Sequence, residues 1–285
     1  MCQFVWKLVF VCFAASTSAM VLAEDSLGKW QSFDSKVMQE KRDFAVYLPP
    51  SYGKSNKKYP VIYLLDGDQR RLNVVAGIQD ALSTEILEQQ VNEAIIVAIP
   101  NSELAIRERD LTPTNVDWVF KGKLLEEFDN IGQADRFIDF FRQELIPKIN
   151  SNYQTSEKRI LVGESFGGLF AAHTLLTQPD VFTDYLIIDP TSLWDNNYLN
   201  RKYSELDYDK NRAKANVWVA FANNEAFGDI GATNYKWGME LVARLKKHPT
   251  VQVAEQFFPN ESHGTVALQS WYFGLRHLNK RLSPE

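Results

Sequence analysis

Short apolar runs recur along the chain and predict the strands of a central sheet. The most continuous runs, with several β-branched residues, lie at 61–65, 94–100, 159–163, 184–189 and 216–222. This pattern is typical of strands in a parallel sheet, because helices then cover both faces. Other runs alternate with polar residues. They predict one or two antiparallel strands, Val37–Met38 and Phe44–Leu48, and a strand near a sheet edge at 251–259.

Between these runs, apolar residues recur at three- and four-residue spacing, which predicts amphipathic helices. The predicted helices cover 78–90, 135–153, 168–178, 235–248 and 265–282. Strands that alternate with helices indicate an α/β fold with a mostly parallel central sheet and helices on both faces. Two long connections, 100–134 and 189–215, leave the carboxyl ends of strands, where ligands bind in open sheets.

The first 23 residues have the pattern of a secretory signal peptide. Lys7 precedes an apolar stretch at 8–22, and small residues stand at the −3 and −1 positions before residue 24. An uncleaved membrane anchor is the alternative, but the stretch is shorter than the ~20 residues that a spanning helix needs. We therefore predict an exported protein, periplasmic or secreted, without stable membrane insertion after cleavage. Residues 24–285 show no break in composition and are predicted to form a single domain.

Composition narrows the classes of function. The chain is 45% hydrophobic and 24% charged, which is typical of a globular protein. Its net charge is −5 and no basic run is present, so nucleic acid is a poor candidate partner. Signal cleavage would remove Cys2 and Cys12, the only cysteines, and with them any disulfide, thiol nucleophile or cysteine metal site.

The segment GESFGG at 163–168 carries a candidate nucleophile. Gly163 and Gly167 flank Ser165 in a Gly-x-Ser-x-Gly pattern, between a predicted strand and a predicted helix. A strand, a sharp turn and a helix are the setting in which this pattern presents a nucleophilic serine. An ordinary glycine-rich turn is the alternative. The context favours Ser165 as a nucleophile.

A serine hydroxyl needs a general base, and His263 has the most suitable position. It follows the last predicted strand and precedes a helix, as the histidine does in the serine–acid–histidine order of α/β-hydrolases. His173 lies within the helix after the serine and favours a packing or surface role. His248 is expected at an exposed helix end, and His277 lies in a charged part of the last helix.

The carboxylate that orients the histidine is expected after the strand at 216–222. Glu225 is nearest to the strand end and is the first choice, with Asp229 and Asp189 as alternatives. Backbone N–H groups of Phe166 and Asp68 are expected to bind the oxyanion, because they follow the nucleophile and the first buried strand.

Together these residues resemble the esterase family of the α/β-hydrolases. That family includes enterochelin (siderophore) esterases, S-formylglutathione hydrolases, feruloyl esterases and mycolyltransferases. The segments that carry the resemblance are VYLPPSY, YPVIYLLDGD, RERDLTPT, GESFGG, SLWDNNYL and ESHG. The match is closest to small enterochelin-esterase-like serine hydrolases, and it implies a serine esterase without a metal or organic cofactor. The chain departs from its relatives at Asp189, where they tend to carry a small residue, so the choice of acid stays open.

Loop residues suggest how a substrate would bind. Arg107 and Arg109 can pair with an anionic substrate, or with neighbouring carboxylates that hold their loop. Trp194, with Trp118 and Phe120, is expected to line an aromatic pocket or to form a local core.

The sequence thus predicts an exported hydrolase of carboxylic esters that acts on a small molecule through an acyl-enzyme. Esters of the siderophore trilactone type are the leading class of substrate. An acyltransferase, a feruloyl- or acetyl-type carbohydrate esterase, and a non-catalytic binding protein on the same scaffold are the alternatives.

Overall fold

The computed structural model describes residues 27–84, 89–101, 103–206 and 214–280, so the predicted signal peptide lies outside the described residues. The strands are β1 (Lys29–Ser35), β2 (Glu40–Tyr47), β3 (Tyr59–Leu65), β4 (Ile95–Ile99), β5 (Trp118–Phe120), β6 (Lys123–Glu126), β7 (Thr155–Glu164), β8 (Asp184–Ile188), β9 (Ala215–Ala222) and β10 (Val251–Phe258). The α-helices are α1 (Gln69–Ser83), α2 (Leu104–Leu111), α3 (Ala134–Phe140), α4 (Ile146–Asn152), α5 (Phe166–Thr177), α6 (Tyr198–Ser204), α7 (Gly228–Leu245) and α8 (Val266–Leu278). A π-helical segment, Phe141–Leu145, joins α3 to α4, and a 3₁₀ turn, Glu225–Phe227, precedes α7.

The central sheet has eight strands in the order β1-β2-β4-β3-β7-β8-β9-β10. The pairs β1–β2 and β2–β4 are antiparallel, and the remaining neighbours are parallel. The apolar runs predict this mostly parallel sheet, and the sheet with its flanking helices is the α/β-hydrolase fold that the family resemblance implies. The alternating run at 251–259 forms β10 at one edge of the sheet, which confirms its predicted place.

The sheet buries both of its faces, which explains the continuous apolar runs. Tyr63 and Leu65 of β3 belong to a core with α3, α5 and α7, whereas Ile62 and Leu64 face a second core with α1 and α8. Every residue of β3, β4 and β8 is buried. Because both sets of alternate positions lie against helices, each of them must be apolar.

Several predicted boundaries differ from the observed ones. Val37 and Met38 lie in the tight turn between β1 and β2, not in a strand. The edge strand β1 is mostly exposed, so its residues carry little hydrophobic pattern. Helix α1 begins at Gln69, well before the predicted start at 78, because the side chain of Asp68 caps it by accepting from the N–H of Arg71.

The two long connections carry elements of their own beside the carboxyl ends of the strands. The segment 100–134 contains α2 and the β5–β6 hairpin, and the segment 189–215 contains α6, with 207–213 outside the described residues. Within the described ranges, no helix is long and apolar enough to cross a membrane. The assignment of 24–285 to one domain stays a prediction.

Candidate active site

Ser165 lies on a strained turn between β7 and α5. Its backbone angles are φ 58° and ψ −116°, which a residue with a side chain rarely adopts. A Cβ on Gly163 would lie 2.1 Å from the carbonyl oxygen of Gly167, so only glycine fits two residues before the serine. The turn is held by hydrogen bonds to the end of β8 and the segment after it: the Ser165 N–H donates to the Ile188 carbonyl at 3.0 Å, and the Thr191 N–H donates to the Ser165 carbonyl at 3.2 Å.

His263 is oriented by a buried carboxylate. Its Nδ1 atom lies 2.6 Å from Oδ2 of Asp189, whose side chain is 1% exposed. The same carboxylate accepts from the Nδ2 atom of Asn224 at 2.8 Å and from the N–H of Ala222 at 3.3 Å. The hydrogen bond to Asp189 raises the pKa of His263 above its usual value, against the opposing effect of burial. An imidazole held in this way has its other nitrogen, Nε2, available as a base.

The position of Asp189 replaces the first choice of acid. Glu225 is exposed on the 3₁₀ turn, where its N–H donates to Oδ1 of Asn223 at 3.1 Å, and no contact joins it to His263 among the described residues. Asp229 is also exposed and pairs with Nζ of Lys121 at 2.7 Å. The carboxylate that contacts His263 thus lies at the end of β8 and not in the loop after β9, because Asp189 turns inward with a positive φ of 37°.

The N–H groups of the two expected oxyanion donors, Phe166 and Asp68, differ in whether they already have an acceptor. Phe166 is the first residue of α5, and a helix offers no internal acceptor to the N–H groups of its first turn. Its N–H therefore has no acceptor within the helix, and its role as an oxyanion donor stays a prediction. The N–H of Asp68 instead donates to the Asp66 carbonyl at 2.9 Å, while the Asp68 side chain caps α1. The expectation of Asp68 as a donor is corrected, because its N–H already has an acceptor within the turn.

Of the two predicted arginines, only Arg107 reaches the site. Its Nε and Nη2 atoms lie 2.9 and 3.0 Å from the two carboxylate oxygens of Asp66, and its guanidinium lies 5.4 Å from the centre of the Phe166 ring. Arg109 bonds Asp110 at 2.8 Å and Glu40 at 2.6 Å, and its hydrogen bond lowers the pKa of Glu40 to about 2. Arg109 thus holds structure together, which corrects its assignment to substrate binding.

Trp194 is also a core residue and not a pocket residue. Its side chain is fully buried, and its Nε1 donates to Oγ1 of Thr114 at 2.9 Å. The ring packs against Phe128 and Phe166, with centroids 5.5 and 5.4 Å apart. The expectation that Trp194 contacts substrate is corrected, because its buried ring packs against Phe166 within the core.

Ser165 and His263 together border two recesses of different character. The first, which we call the apolar recess, has a volume of about 130 Å³. Its other lining residues are Trp118, Thr191, Leu193, Asn224, Phe227, Ile230, Gly231 and Asn234. The second, the polar recess, has a volume of about 440 Å³ and is lined by Arg71, Arg107, Glu164 and the start of the α8 segment. An ester bound at the serine can therefore place its two sides in different environments.

Glu164 and Arg71 are site residues that the sequence did not single out. Nη2 of Arg71 lies 3.2 Å from Oε2 of Glu164, and Glu164 precedes the serine directly. Burial raises the pKa of Glu164, although the nearby Arg71 opposes this effect. The position of Glu164 inside GESFGG, directly before Ser165, is the one signal in the sequence that could have found it.

Two other histidines, His173 and His248, are buried away from Ser165 and His263. His173 is 2% exposed and lies between Asp135, at 2.8 Å from Nε2, and the Tyr198 hydroxyl, at 2.9 Å from Nδ1. His248 is buried and not at an exposed helix end as expected. No group of histidine, cysteine and acidic residues that could hold a metal ion occurs in the described part of the chain.

Comparison with known proteins gives the family of the chain. Residues 35–270 match the model of the Esterase family, whose description is "Putative esterase", and the chain belongs to this family. It is similar to a solved IroE-like serine hydrolase from Shewanella oneidensis, with 29% identity and a TM-score of 0.77. That similarity covers 88% of this chain and 80% of the other.

Two curated relatives are similar over shorter segments. The ferri-bacillibactin esterase BesA of Bacillus subtilis is 31% identical over 57% of this chain and 58% of its own length. The siderophore triacetylfusarinine C esterase of Aspergillus fumigatus is 29% identical over 48% of this chain and 45% of its own length. The chain therefore spans about half the length of the curated relatives it matches.

Proposed function

We propose that the protein is a serine esterase that cleaves carboxylic esters through an acyl-enzyme. The observation that carries this proposal is the hydrogen bond between the buried Asp189 carboxylate and His263, which borders the same two recesses as Ser165 on its strained strand-to-helix turn. Nucleophile, base and orienting acid occur here in the chain order serine, acid, histidine.

In the first half of the reaction, Oγ of Ser165 attacks the ester carbonyl and its proton passes to Nε2 of His263. Asp189 keeps the Nδ1–H of the imidazole in place and stabilises the imidazolium. The oxyanion that forms on the former carbonyl oxygen accepts from the N–H of Phe166. Collapse of this intermediate breaks the bond to the alcohol, which leaves with the proton from His263.

In the second half, water replaces the alcohol. His263 removes a proton from the water, and the hydroxide attacks the acyl-enzyme carbonyl. The second tetrahedral intermediate releases the acid and returns the proton to Oγ of Ser165. The balance is one ester and one water consumed, with one acid and one alcohol formed.

The substrate class that we propose is a siderophore ester of the trilactone type. Its support is the similarity to siderophore esterases, together with the polar recess beside Ser165, which Arg71, Arg107 and Glu164 line. We also propose that the chain is exported, on the basis of its first 23 residues.

Labelling with a fluorophosphonate tests the serine mechanism. We expect wild-type protein to be labelled at Ser165, and Ser165→Ala to be unlabelled and to hydrolyse p-nitrophenyl acetate several orders of magnitude more slowly. Ser151→Ala, at an exposed serine of α4, is the matched control and keeps both signals. Equal hydrolysis by Ser165→Ala and wild type would exclude the mechanism.

A further inference from the structure

We propose that Asn224 is a positioning residue that acts through Asp189: its side-chain amide shares the carboxylate with His263 and thereby keeps the imidazole unprotonated near neutral pH. This inference rests on the proposed esterase function and adds a residue behind the acid. Asn224 lies between β9 and the 3₁₀ turn, whereas Asp189 follows β8 directly.

The amide and the imidazole bond one and the same oxygen of the carboxylate. Nδ2 of Asn224 lies 2.8 Å from Oδ2 of Asp189, and Nδ1 of His263 lies 2.6 Å from that atom. The other oxygen, Oδ1, accepts from the N–H of Ala222 at 3.3 Å. Because a carboxylate can only accept, the nitrogen of the Asn224 amide faces Oδ2 and donates to it.

The place of Asn224 is fixed by its neighbours. The residue is 8% exposed, and its carbonyl accepts from the N–H of Phe227 at 3.0 Å. Helix α7 passes so close that a Cβ on Gly231 would lie 2.0 Å from the Asn224 carbonyl oxygen and 3.0 Å from the Asn224 Cβ. Dense packing of this kind leaves a side chain little freedom, so the amide stays beside the buried Asp189 carboxylate.

The amide offsets part of the negative charge of Asp189. In a site away from water, a carboxylate with few donors attracts a neighbouring positive charge strongly. The hydrogen bond to Asp189 raises the pKa of His263. A second donor on the same oxygen limits this rise, because the charge that would stabilise the imidazolium is shared. More of the imidazole is then available as an unprotonated base at neutral pH.

Two further charged side chains act on His263, one from the end of β7 and one from α2. The Glu164 carboxylate raises the pKa of His263, and the Arg107 guanidinium lowers it. No hydrogen bond joins either of them to Asn224 among the described residues. Removal of the Asn224 amide should therefore leave these two effects in place.

The proton affinity of His263 in the variant Asn224→Leu tests this role. Leucine has nearly the shape of asparagine without its N–H groups, and we expect His263 to bind its proton about tenfold more tightly than in wild type. Titration of the imidazole protons by NMR measures the affinity, and the His263 signal is the one that His263→Gln removes. Asn224→Ala removes the same amide and serves if the larger side chain prevents folding.

Asn200→Leu is the matched control. Asn200 is also buried, and its Nδ2 donates to the Trp237 carbonyl at 2.9 Å and not to Asp189. Its loss should leave the proton affinity of His263 unchanged. The role of Asn224 is refuted if Asn224→Leu leaves this affinity unchanged or weakens it, or if Asn200→Leu changes it equally.

A double substitution shows whether Asn224 acts through Asp189. In an Asp189→Asn background the carboxylate is absent, so Asn224→Leu should no longer alter the proton affinity of His263. As single changes, Asn224→Leu should move the acid limb of the kcat/KM profile to higher pH and Asp189→Asn to lower pH. A purely structural role would lower kcat/KM at every pH and leave the midpoint in place.

The Ser165→Ala protein separates this role from the proposed function, because the titration needs no turnover. Tighter proton binding by His263 when Asn224→Leu is added to Ser165→Ala would support the role of Asn224, even if wild type hydrolysed no ester and the esterase proposal failed. Hydrolysis by wild type together with an unchanged titration in Asn224→Leu would overturn the role of Asn224 and leave the esterase proposal standing.

Discussion

Nδ1 of His263 lies 2.6 Å from Oδ2 of Asp189, at the end of the strand next to the one that leads to Ser165. Two adjacent parallel strands, β7 and β8, thus carry the proposed nucleophile and the proposed acid. The relationship makes Asp189, and not Glu225, the carboxylate on which the activity should depend.

Replacement of this acid should abolish most of the turnover. We expect Asp189→Asn to lower kcat by about 10⁴-fold, because an amide in this place no longer holds the correct tautomer of His263. Glu225→Gln is the matched control and should keep wild-type kcat, since Glu225 is exposed and makes no contact with the histidine. Steady-state hydrolysis of p-nitrophenyl acetate measures both variants. A larger loss with Glu225→Gln would contradict the assignment.

The pH dependence of activity should follow the raised pKa of His263. The base works only when it is unprotonated, so kcat/KM should fall as the pH drops through an apparent pKa above 6.5. Asp189→Asn removes the first cause of the shift and should move any residual profile to lower pH. A wild-type midpoint at or below 6.5 would count against the hydrogen bond as the dominant influence.

The raised pKa of His263 should also make stability depend on pH, in the opposite direction to activity: stability falls where activity rises. Because the folded pKa of His263 is raised, its contribution to stability is fully present below the unfolded pKa, near 6.5, and is lost as the pH rises through the folded pKa. His263→Gln should therefore be less stable than wild type at mildly acidic pH, and this difference in the free energy of unfolding should become smaller as the pH rises to alkaline values. Urea denaturation at several pH values measures this difference, and a deficit that widens with pH would contradict it.

A buried ion network behind the site should dominate the stability of this region. Asp110 is 0% exposed and accepts from Arg42 at 2.7 Å and from Arg109 at 2.8 Å. We expect Asp110→Asn to lower the free energy of unfolding by about 3–5 kcal/mol, because it removes one of the two carboxylates, Asp110 and Glu40, that balance the charges of Arg42 and Arg109. Asp229→Asn removes an exposed carboxylate paired with Lys121 and should leave the denaturation midpoint unchanged. Similar shifts for both variants would refute this account.

Replacement of glycine by alanine should be disruptive at Gly163 and stabilising at Gly77. Gly163→Ala puts a Cβ within 2.1 Å of the Gly167 carbonyl oxygen and should disrupt the serine turn, with loss of fluorophosphonate labelling. Gly77→Ala, on the exposed face of α1, meets nothing within 4 Å and should raise stability by about 0.5–1 kcal/mol. Thermal denaturation and labelling of both variants check the pair, and a labelled, stable Gly163→Ala protein would show that the turn tolerates a side chain.

The sequence predicts the buried parts of the fold well, because burial on both faces imposes a simple apolar pattern. It predicts β3, β4, β8 and β9 nearly to their ends, but it does not predict the exposed edge strand β1. The start of α1 is missed for a related reason, since the Asp68 cap is a local hydrogen bond that leaves no periodic pattern.

For the site, the sequence predicts Ser165, His263 and Phe166 as candidates because each lies next to a recognisable turn or strand end. It ranks Glu225 above Asp189 because Glu225 follows a strand end directly, whereas the contact of Asp189 with His263 depends on a positive φ that single-sequence patterns do not reveal. Arg109 and Trp194 are misassigned because loop side chains of either kind can face a pocket or a core. Only their three-dimensional partners, Asp110 and Thr114, distinguish the two.

The origin of the acid has a consequence for how the protein can change. With the reacting groups supplied by β7, β8 and the loop that carries His263, the exposed stretch 225–229 bears no chemical duty in the proposed reaction. Phe227 within this stretch and Ile230 just after it nonetheless border the apolar recess. Substitutions in this stretch can therefore change the acyl specificity while the residues of the proposed reaction stay the same. Differences in substrate between relatives can arise at this place.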